Sequence, residues 1–267
     1  MQVESVAYSV SGLDCRGLLI YEKSVKALSP LLLVAPNWAG ITPRAIETAK
    51  MLAGDRYVVM LADMYGEGKR PTGKEVPMEF LAPLTKDAEE TRKRIVAALE
   101  AMTLEAQKRG IGDVKRRAAF GYCFGGANVL DLARSGADVA GVVSFHGNLT
   151  TPMPAKKGDV KAIVLVVHGA TDPIAPRSDR DALEEEMTAA GACWNMLTFG
   201  GVCHSFTDEA ASRPGVAQYN EPAMRHGYNL AHAFIADAFA GKFYEIVHCR
   251  RRGHLPAAAS DDLILSS

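Results

Sequence analysis

The chain alternates between short, wholly apolar runs and longer segments in which apolar residues recur every three or four positions. Leu31–Ala35 and Ile163–Val167 are runs of the first kind, and Asp87–Lys108 is a segment of the second kind. Strands that are buried on both faces of a parallel sheet have the first composition, whereas helices that bury one face have the second spacing. The pattern therefore predicts an α/β fold, with a mostly parallel twisted sheet and helices on both of its faces.

The order of the predicted elements begins with an antiparallel hairpin, formed by Val3–Val10 and Cys15–Tyr21 around Gly12. The remaining predicted strands are Tyr57–Ala62, Arg117–Tyr122, Val139–Phe145 and Trp194–Phe199, and the remaining predicted helices are 43–54 after the N-cap Thr42, 126–134, 178–190 and Glu221–Phe239. Residues 63–78 are rich in Gly, Lys and Pro and predict a loop, and the region 63–86 is either a mobile lid or an ordinary surface loop. No internal repeat or low-complexity linker divides the chain, so we expect one domain over residues 1–241 and a C-terminal tail over 242–267.

Composition narrows the functional classes. Of 267 residues, 48% are hydrophobic and 23% charged, which excludes wholesale disorder, and 30 basic against 31 acidic residues provide no general field for nucleic acid or an anionic membrane. No apolar run reaches the length of a membrane helix, and the N-terminus lacks the features of a signal peptide. We therefore expect a cytoplasmic monomer or homodimer that acts on a small molecule and has neither nucleic acid nor membrane as a partner.

The five cysteines include no CxxC pair and form no even framework. They therefore predict neither a disulfide scaffold nor a structural zinc site, and no metal site is expected. Four of them are interpreted as small apolar residues. Cys123 differs because of its neighbours.

The segment Gly-Tyr-Cys-Phe-Gly-Gly at residues 121–126 follows an apolar strand and opens a helix of small residues. This pattern is typical of a sharp strand-to-helix turn that exposes a nucleophile, with cysteine where serine is usual. Glycine is needed at positions 121 and 125 because backbone packs against backbone there. The turn places Cys123 at a helix N-terminus, where partial positive charge favours a thiolate. The alternative is a glycine-rich turn that holds a buried cysteine.

A nucleophilic thiol needs a base, and the base needs a group that orients it. Asp172 follows the predicted strand Ile163–Val167, and His204 follows the predicted strand Trp194–Phe199. The order nucleophile, acid, histidine is that of enzymes with this type of turn, and doubly wound sheets place their sites at the carboxyl ends of strands. We therefore predict that Cys123, Asp172 and His204 form a catalytic triad.

Other titratable residues near strand ends have alternative interpretations. His168 is an alternative base, although we expect it to bond a backbone group, and His146 is expected to line the substrate pocket. Asp63 precedes the nucleophile in the chain and is expected to be structural. His226 and His232 lie six residues apart, which is not the spacing of a helical metal pair.

These segments resemble those of dienelactone hydrolases, the carboxymethylenebutenolidase branch of the α/β-hydrolases. The resemblance rests on Cys123 in GYCFGG, Asp172 in HGATDP and His204 in GGVCHSF, with further similarity at 34–40 and 62–66, and it extends over roughly residues 15–240. It implies the α/β-hydrolase fold and hydrolysis of esters or lactones without a metal or organic cofactor. It also implies an oxyanion hole made of the backbone N–H groups of Trp38 and Phe124.

Two positions depart from the family's pattern. Asn37 stands where the family has a glutamate that helps to activate the thiol, and an asparagine cannot take up a proton, so we interpret it as a substrate-binding residue together with His146. Asp208 stands where the family has an arginine that binds the substrate carboxylate, and no second such arginine is evident in residues 70–86. We expect Asp208 to repel an anionic dienelactone, so the predicted substrates are small uncharged esters or lactones.

Three further functions stay open at this point. The same thiol and oxyanion hole could attack the phosphorus of a phosphotriester. A binding module could keep the fold and lack the chemistry. A cysteine redox sensor is the third possibility, because a thiolate at a helix N-terminus is oxidisable and Cys203, beside His204, could act as its resolving cysteine.

Overall fold

The computed structural model describes residues 1–24, 29–54, 56–67, 69 and 78–242. The strands are β1 (Gln2–Val10), β2 (Leu13–Tyr21), β3 (Pro30–Ala35), β4 (Val58–Leu61), β5 (Asp113–Tyr122), β6 (Gly141–Phe145), β7 (Ile163–Gly169), β8 (Trp194–Phe199), β9 (Ser212–Arg213) and β10 (Ala217–Gln218). The helices are α1 (Pro43–Ala53), α2 (Met78–Lys86), α3 (Ala88–Arg109), α4 (Phe124–Arg134), α5 (Arg177–Ala190) and α6 (Glu221–Phe239). Apart from Lys242, the predicted tail 242–267 lies outside the described residues.

Eight strands form one sheet in the order β1-β2-β4-β3-β5-β6-β7-β8. β1 pairs antiparallel with β2, and β2 pairs antiparallel with β4. The pairs from β4 through β8 are parallel. The predicted hairpin and the predicted mostly parallel sheet are thus confirmed. The carboxyl ends of the parallel strands meet at one edge, which is where the loops after β3, β4, β5, β6, β7 and β8 converge.

The apolar runs bury both faces of the sheet. Along β3, Leu31 and Leu33 face a cluster formed with α3, α4 and α5, whereas Leu32 and Val34 face a cluster formed with α1 and α6. All four side chains are essentially inaccessible to water. Each such burial contributes roughly 1.5–3 kcal/mol, so the sheet is a rigid base for the loops at its edge.

Helix α1 begins at the N-cap that the sequence predicts, and α6 also has a side-chain cap. The Thr42 hydroxyl accepts a hydrogen bond from the N–H of Ala45, and Pro43 occupies the first helical position of α1. Asn220 caps α6 in the same way through the N–H of Ala223. These side chains satisfy amide groups that the first turn of a helix leaves without partners, and they fix where the preceding loops end.

The predicted loop is wrong at its carboxyl-terminal end, because Met78–Lys86 is helix α2. Phe80 and Leu84, four residues apart, share one face of this helix and pack against the core, with Leu84 buried. Pro83 disfavours a helix interior, but the packing of this face outweighs its effect. The Thr91 hydroxyl donates to the carbonyl oxygen of Leu84 and ties α2 to α3. Residues 68 and 70–77 of the predicted loop or lid lie outside the described residues.

Candidate active site

The turn between β5 and α4 is strained in the way that a nucleophile elbow requires. Cys123 has a φ of 53° and a ψ of −118°, a backbone conformation that residues other than glycine rarely adopt. A Cβ added to Gly121 would lie 2.0 Å from the carbonyl oxygen of Gly125, and one added to Gly125 would lie 2.1 Å from the carbonyl oxygen of Ala35. The two glycines therefore allow the elbow to close against the end of β3, as the sequence predicts.

The loops after β7 and β8 bring Asp172 and His204 into contact. Nδ1 of His204 lies 2.7 Å from Oδ2 of Asp172, and both side chains are buried. The other carboxylate oxygen accepts hydrogen bonds from the N–H groups of Ile174, at 2.8 Å, and Ala175, at 3.3 Å. These backbone donors hold the carboxylate in place, so it can fix both the orientation and the tautomer of the imidazole.

The backbone of His204 is held by a segment that sequence reasoning missed. The N–H of His204 donates to the carbonyl of Val216, and the N–H of Gln218 donates to the carbonyl of His204. This contact is a bridge to β10, which pairs with β9 over two residues only. Strands this short have no periodicity, so no sequence signal could have revealed them.

The electrostatics of His204 link it to both predicted partners. Burial opposes a charged imidazole, but hydrogen bonding to Asp172 and Cys123, together with their charges, outweighs it and raises the pKa of His204 to about 9. Nε2 of His204 is buried and has no hydrogen bond of normal geometry among the described residues. Nδ1 of His204 is thus occupied by the carboxylate of Asp172, and Cys123 lies close enough to affect the pKa of the same imidazole, so the three predicted triad residues are near one another.

The two predicted oxyanion donors lie on segments that converge at the elbow. Phe124 follows Cys123 as the first residue of α4, and Trp38 lies in the loop after β3, against which Gly125 packs. Neither the N–H of Trp38 nor that of Phe124 donates to another group within the described part of the chain. Both are therefore available to a substrate oxygen.

Tyr65, in the loop after β4, is a site residue to which sequence reasoning assigned no role. Its hydroxyl donates to the carbonyl oxygen of Trp38 at 2.5 Å, and its ring stacks on that of Phe124, with centroids 6.3 Å apart and planes 3° apart. Burial, and then the charge of Cys123, raise the pKa of Tyr65, which keeps the phenol protonated. The sequence at 62–66 resembles that of the family, but a contact between two loops has no spacing that a sequence pattern could reveal.

A cavity of about 150 Å³ lies beside these residues. It is lined by residues adjacent in sequence to the predicted catalytic groups, including Asn37, Tyr122 and Ser205, and also by His146. Neither Cys123 nor His204 lines it, so it lies beside the sulfur rather than around it. Asn37 and His146, the two predicted substrate-binding residues, thus share one cavity next to the elbow.

His146 and Asn37 are both engaged within the protein. Nε2 of His146 lies 2.8 Å from the Thr207 hydroxyl, and its ring meets that of His204 edge-on with centroids 5.1 Å apart. Burial, and then the charge of His204, hold the pKa of His146 well below its usual value, so it remains neutral. Oδ1 of Asn37 accepts a hydrogen bond from the N–H of Ala39 at 3.0 Å, which leaves the side-chain amide NH₂ for a ligand.

The structure corrects the expectation that Asp208 is a free repelling charge. Its carboxylate forms an ion pair with Nε of Arg44 at 2.5 Å, and Arg44 also pairs with Glu209 at 3.3 Å. Arg44, on α1, and Asp208 both line the cavity. The repulsion is therefore largely compensated by a residue distant in sequence.

The remaining titratable candidates have the structural roles that the sequence suggests. His168 lies 2.9 Å from the carbonyl oxygen of Ala175, and Oδ1 of Asp63 accepts hydrogen bonds from the N–H groups of Tyr65 and Gly66. His232 packs on Tyr57, while His226 is exposed. Within the described ranges, no group of three or more His, Cys, Asp or Glu side chains could hold a metal ion, and no helix is long and apolar enough to span a bilayer.

Comparison with known proteins gives the same fold. An uncharacterised protein of Caenorhabditis elegans is 34% identical over 158 residues, which cover 56% of this chain and 94% of that protein. A solved structure of a dienelactone hydrolase-like promiscuous phosphotriesterase from metagenomic libraries has a TM-score of 0.79 at 29% identity, with 89% of this chain and 98% of that chain covered. A structure of Thermogutta terrifontis esterase 2 phosphorylated by paraoxon shares the fold, with a TM-score of 0.64 at 17% identity over 88% of this chain and 94% of that chain.

The family model of the dienelactone hydrolase family matches residues 16–239, which include the elbow and the loops that carry Asp172 and His204. The chain shares the overall fold of the solved structures with which it aligns. This chain belongs to the dienelactone hydrolase family and is an α/β-hydrolase.

Proposed function

We propose that this protein is a cofactor-independent hydrolase in which Cys123 attacks small uncharged esters or lactones. The observation that carries the proposal is the buried Asp172–His204 hydrogen bond of 2.7 Å beside a cysteine at a strained elbow. If the turn only held a buried cysteine, it would need neither an imidazole oriented by a carboxylate nor a raised pKa of that imidazole. In the proposed roles, Cys123 is the nucleophile, His204 the base and Asp172 the group that orients it.

The reaction has two covalent steps. His204, whose pKa is raised to about 9, holds the thiol proton while the sulfur of Cys123 bonds to the carbonyl carbon, and the N–H groups of Trp38 and Phe124 donate to the oxygen as it becomes negative. The carbon–oxygen bond to the leaving alcohol then breaks, and His204 returns the proton to that alcohol. Water, losing a proton to His204, next attacks the thioester, and the sulfur leaves as thiol when His204 protonates it. Asn37 cannot accept a proton, so His204 serves as the base in both steps.

The substrate class follows from the charges around the cavity. Arg44 is already paired with Asp208 and Glu209, so it does not present a free cation to a substrate carboxylate. A substrate carboxylate would have to compete with Asp208 and Glu209 for this guanidinium and would place a further negative charge beside them. The side-chain amide of Asn37 and the neutral ring of His146 suit an uncharged polar acyl group small enough for about 150 Å³.

A second candidate activity is hydrolysis of phosphotriesters by the same thiol. It is favoured by the structural similarity, at 29% identity, to a promiscuous phosphotriesterase of the dienelactone hydrolase type. The phosphoryl oxygen also gains negative charge during displacement, so the same two N–H groups would stabilise it.

The test is release of p-nitrophenol from p-nitrophenyl butyrate and from diethyl p-nitrophenyl phosphate by wild type, Cys123→Ala and Cys203→Ala. Cys203 is the matched control because it is also a partly exposed free cysteine, next to His204. A carboxylate-bearing dienelactone is assayed alongside. We expect turnover of the neutral ester by wild type and Cys203→Ala, none by Cys123→Ala, and a lower rate with the dienelactone.

Other outcomes would favour one of the alternative functions or contradict the proposed nucleophile. An inert wild type whose Cys123 also resists iodoacetamide favours a binding module. An inert wild type that forms a reversible Cys123–Cys203 disulfide in mild peroxide favours a redox sensor. Equal turnover by wild type and Cys123→Ala contradicts the proposed nucleophile.

A further inference from the structure

Tyr65 contacts both segments that carry the proposed oxyanion donors. Its hydroxyl bonds the carbonyl of Trp38, and its ring lies flat against the ring of Phe124. The side chain is 2% exposed, so both contacts are protected from water. No other described side chain donates a hydrogen bond to the Trp38 carbonyl.

Among the hydrogen bonds of the described residues, those that hold the turn at Trp38 otherwise come from the turn itself. The carbonyl of Asn37, which shares a peptide unit with the Trp38 N–H, accepts from the N–H of Gly40 at 2.9 Å. In the next peptide unit, the N–H of Ala39 donates to the side chain of Asn37. The carbonyl oxygen of Trp38, in the same unit, accepts from the Tyr65 hydroxyl. The Trp38 side chain is 38% exposed, so its packing constrains this turn less than that of a buried residue, and the phenol anchors the turn from outside.

Tyr65 is itself rigidly placed. Oδ1 of Asp63 accepts hydrogen bonds from the N–H groups of Tyr65, at 3.1 Å, and Gly66, at 3.0 Å. Arg94 of α3 donates to the carbonyl of Met64 at 2.8 Å. A group held on both sides by such bonds can transmit its position to the residue that it contacts.

We propose that Tyr65 is a positioning residue for catalysis, whose hydroxyl holds the turn at Trp38 so that its N–H points at the developing oxyanion. This inference rests on the proposed function. Oxyanion donors act on charge that exists only in the transition state, and a displacement of about 1 Å can reduce a rate by about 10²-fold. Loss of the hydroxyl therefore lowers kcat and leaves KM nearly unchanged.

The test compares Tyr65→Phe with Tyr57→Phe on p-nitrophenyl butyrate. Tyr57 is also buried and also loses one hydroxyl contact, to Nδ1 of His232, but it precedes β4, whereas Tyr65 follows it at the end where the site lies. We expect kcat to fall about 10- to 100-fold in Tyr65→Phe, with KM and the unfolding temperature close to those of Tyr57→Phe, because only the donor geometry is altered. Wild-type kcat in Tyr65→Phe overturns the inference.

Two thiol reagents distinguish positioning from a general disturbance of the site. Iodoacetamide alkylates Cys123 without forming an oxyanion, whereas butyraldehyde adds reversibly to the thiol and generates one. Tyr65→Phe should alkylate at the wild-type rate but bind the aldehyde more weakly, by the same factor as kcat falls. An equal loss in both reactions overturns the inference and assigns Tyr65 to thiol activation. If wild-type turnover does not depend on Cys123, the proposed function fails and the inference fails with it.

Discussion

The variant Asp172→Asn tests whether Asp172 orients His204, because the two carboxylate oxygens have different hydrogen-bond partners. Oδ1 accepts from the backbone N–H groups of Ile174 and Ala175, and Oδ2 faces Nδ1 of His204. An asparagine keeps its oxygen on the two amides and therefore places its NH₂ group against Nδ1. Since that group can only donate, the imidazole must carry its proton on Nε2, towards Cys123, and cannot accept the thiol proton.

The size of the effect follows from the pKa of His204. Hydrogen bonding to Asp172 is the largest contribution that raises this pKa to about 9 against the opposing effect of burial. Without the carboxylate, we expect the pKa of His204 to fall, because only Cys123 would then oppose the effect of burial. The full shift from 6.5 to about 9 corresponds to about 3 kcal/mol, and the carboxylate contributes part of it. Turnover should fall about 10³- to 10⁴-fold, the scale on which a wrong tautomer acts in a catalytic triad.

The assay measures kcat on p-nitrophenyl butyrate and the rate of Cys123 alkylation by iodoacetamide across the pH range, with thermal unfolding as the control for folding. In the variant, alkylation near neutral pH should slow, because His204 no longer stabilises a thiolate there. A folded variant with wild-type kcat would refute the assignment of Asp172. Loss of kcat with an unchanged alkylation profile would refute the tautomer argument.

Three other perturbations have defined outcomes. The folded pKa of His204, about 9, exceeds the unfolded value of 6.5, so the roughly 3 kcal/mol of stability that the charged imidazole contributes is present below pH 6.5 and is lost as the pH rises through 9. The free energy of unfolding in urea should therefore fall more between these two pH values in wild type than in His204→Gln. Gly125→Ala forces a Cβ to 2.1 Å from a backbone oxygen of β3 and should abolish soluble folding or activity, whereas Gly200→Ala, with open space around it, should resemble wild type. Arg134→Met removes the guanidinium that pairs with the largely buried carboxylates of Glu186 and Asp131, and it should lower the free energy of unfolding by about 3–5 kcal/mol. Glu186→Leu should restore only part of this in the double variant, because Asp131 still lacks that partner and the N–H of Ala155 loses its acceptor.

The parts of the site that lie within one short segment could be predicted from the sequence. The elbow around Cys123 is specified by its own glycines, and the positions of Asp172 and His204 follow from strands whose apolar runs are unmistakable. In a parallel sheet the ends of such strands converge, so their meeting needed no further information. The hairpin and the strand–helix alternation could be predicted for the same reason.

The parts that depend on contacts between distant segments could not be predicted. Arg44 neutralises Asp208 across the cavity, and Tyr65 anchors Trp38 from another loop, yet neither pair has a spacing that a pattern could reveal. Helix α2 could not be predicted for a related reason. Pro83 locally disfavours a helix, whereas packing of the apolar face of α2 favours one. Each time, tertiary structure outweighed the local preference.

The closure of the elbow against β3 has a consequence for the newly made chain. The strained backbone of Cys123 persists only while Gly125 rests on the carbonyls at residues 35 and 36, which come from a much earlier part of the chain. A partly folded chain therefore relaxes that strain and presents an ordinary thiol, with neither an imidazole nor a helix N-terminus beside it. On the proposed function, an activated Cys123 thus requires a completely folded chain, and a nascent or damaged chain has no activated sulfur.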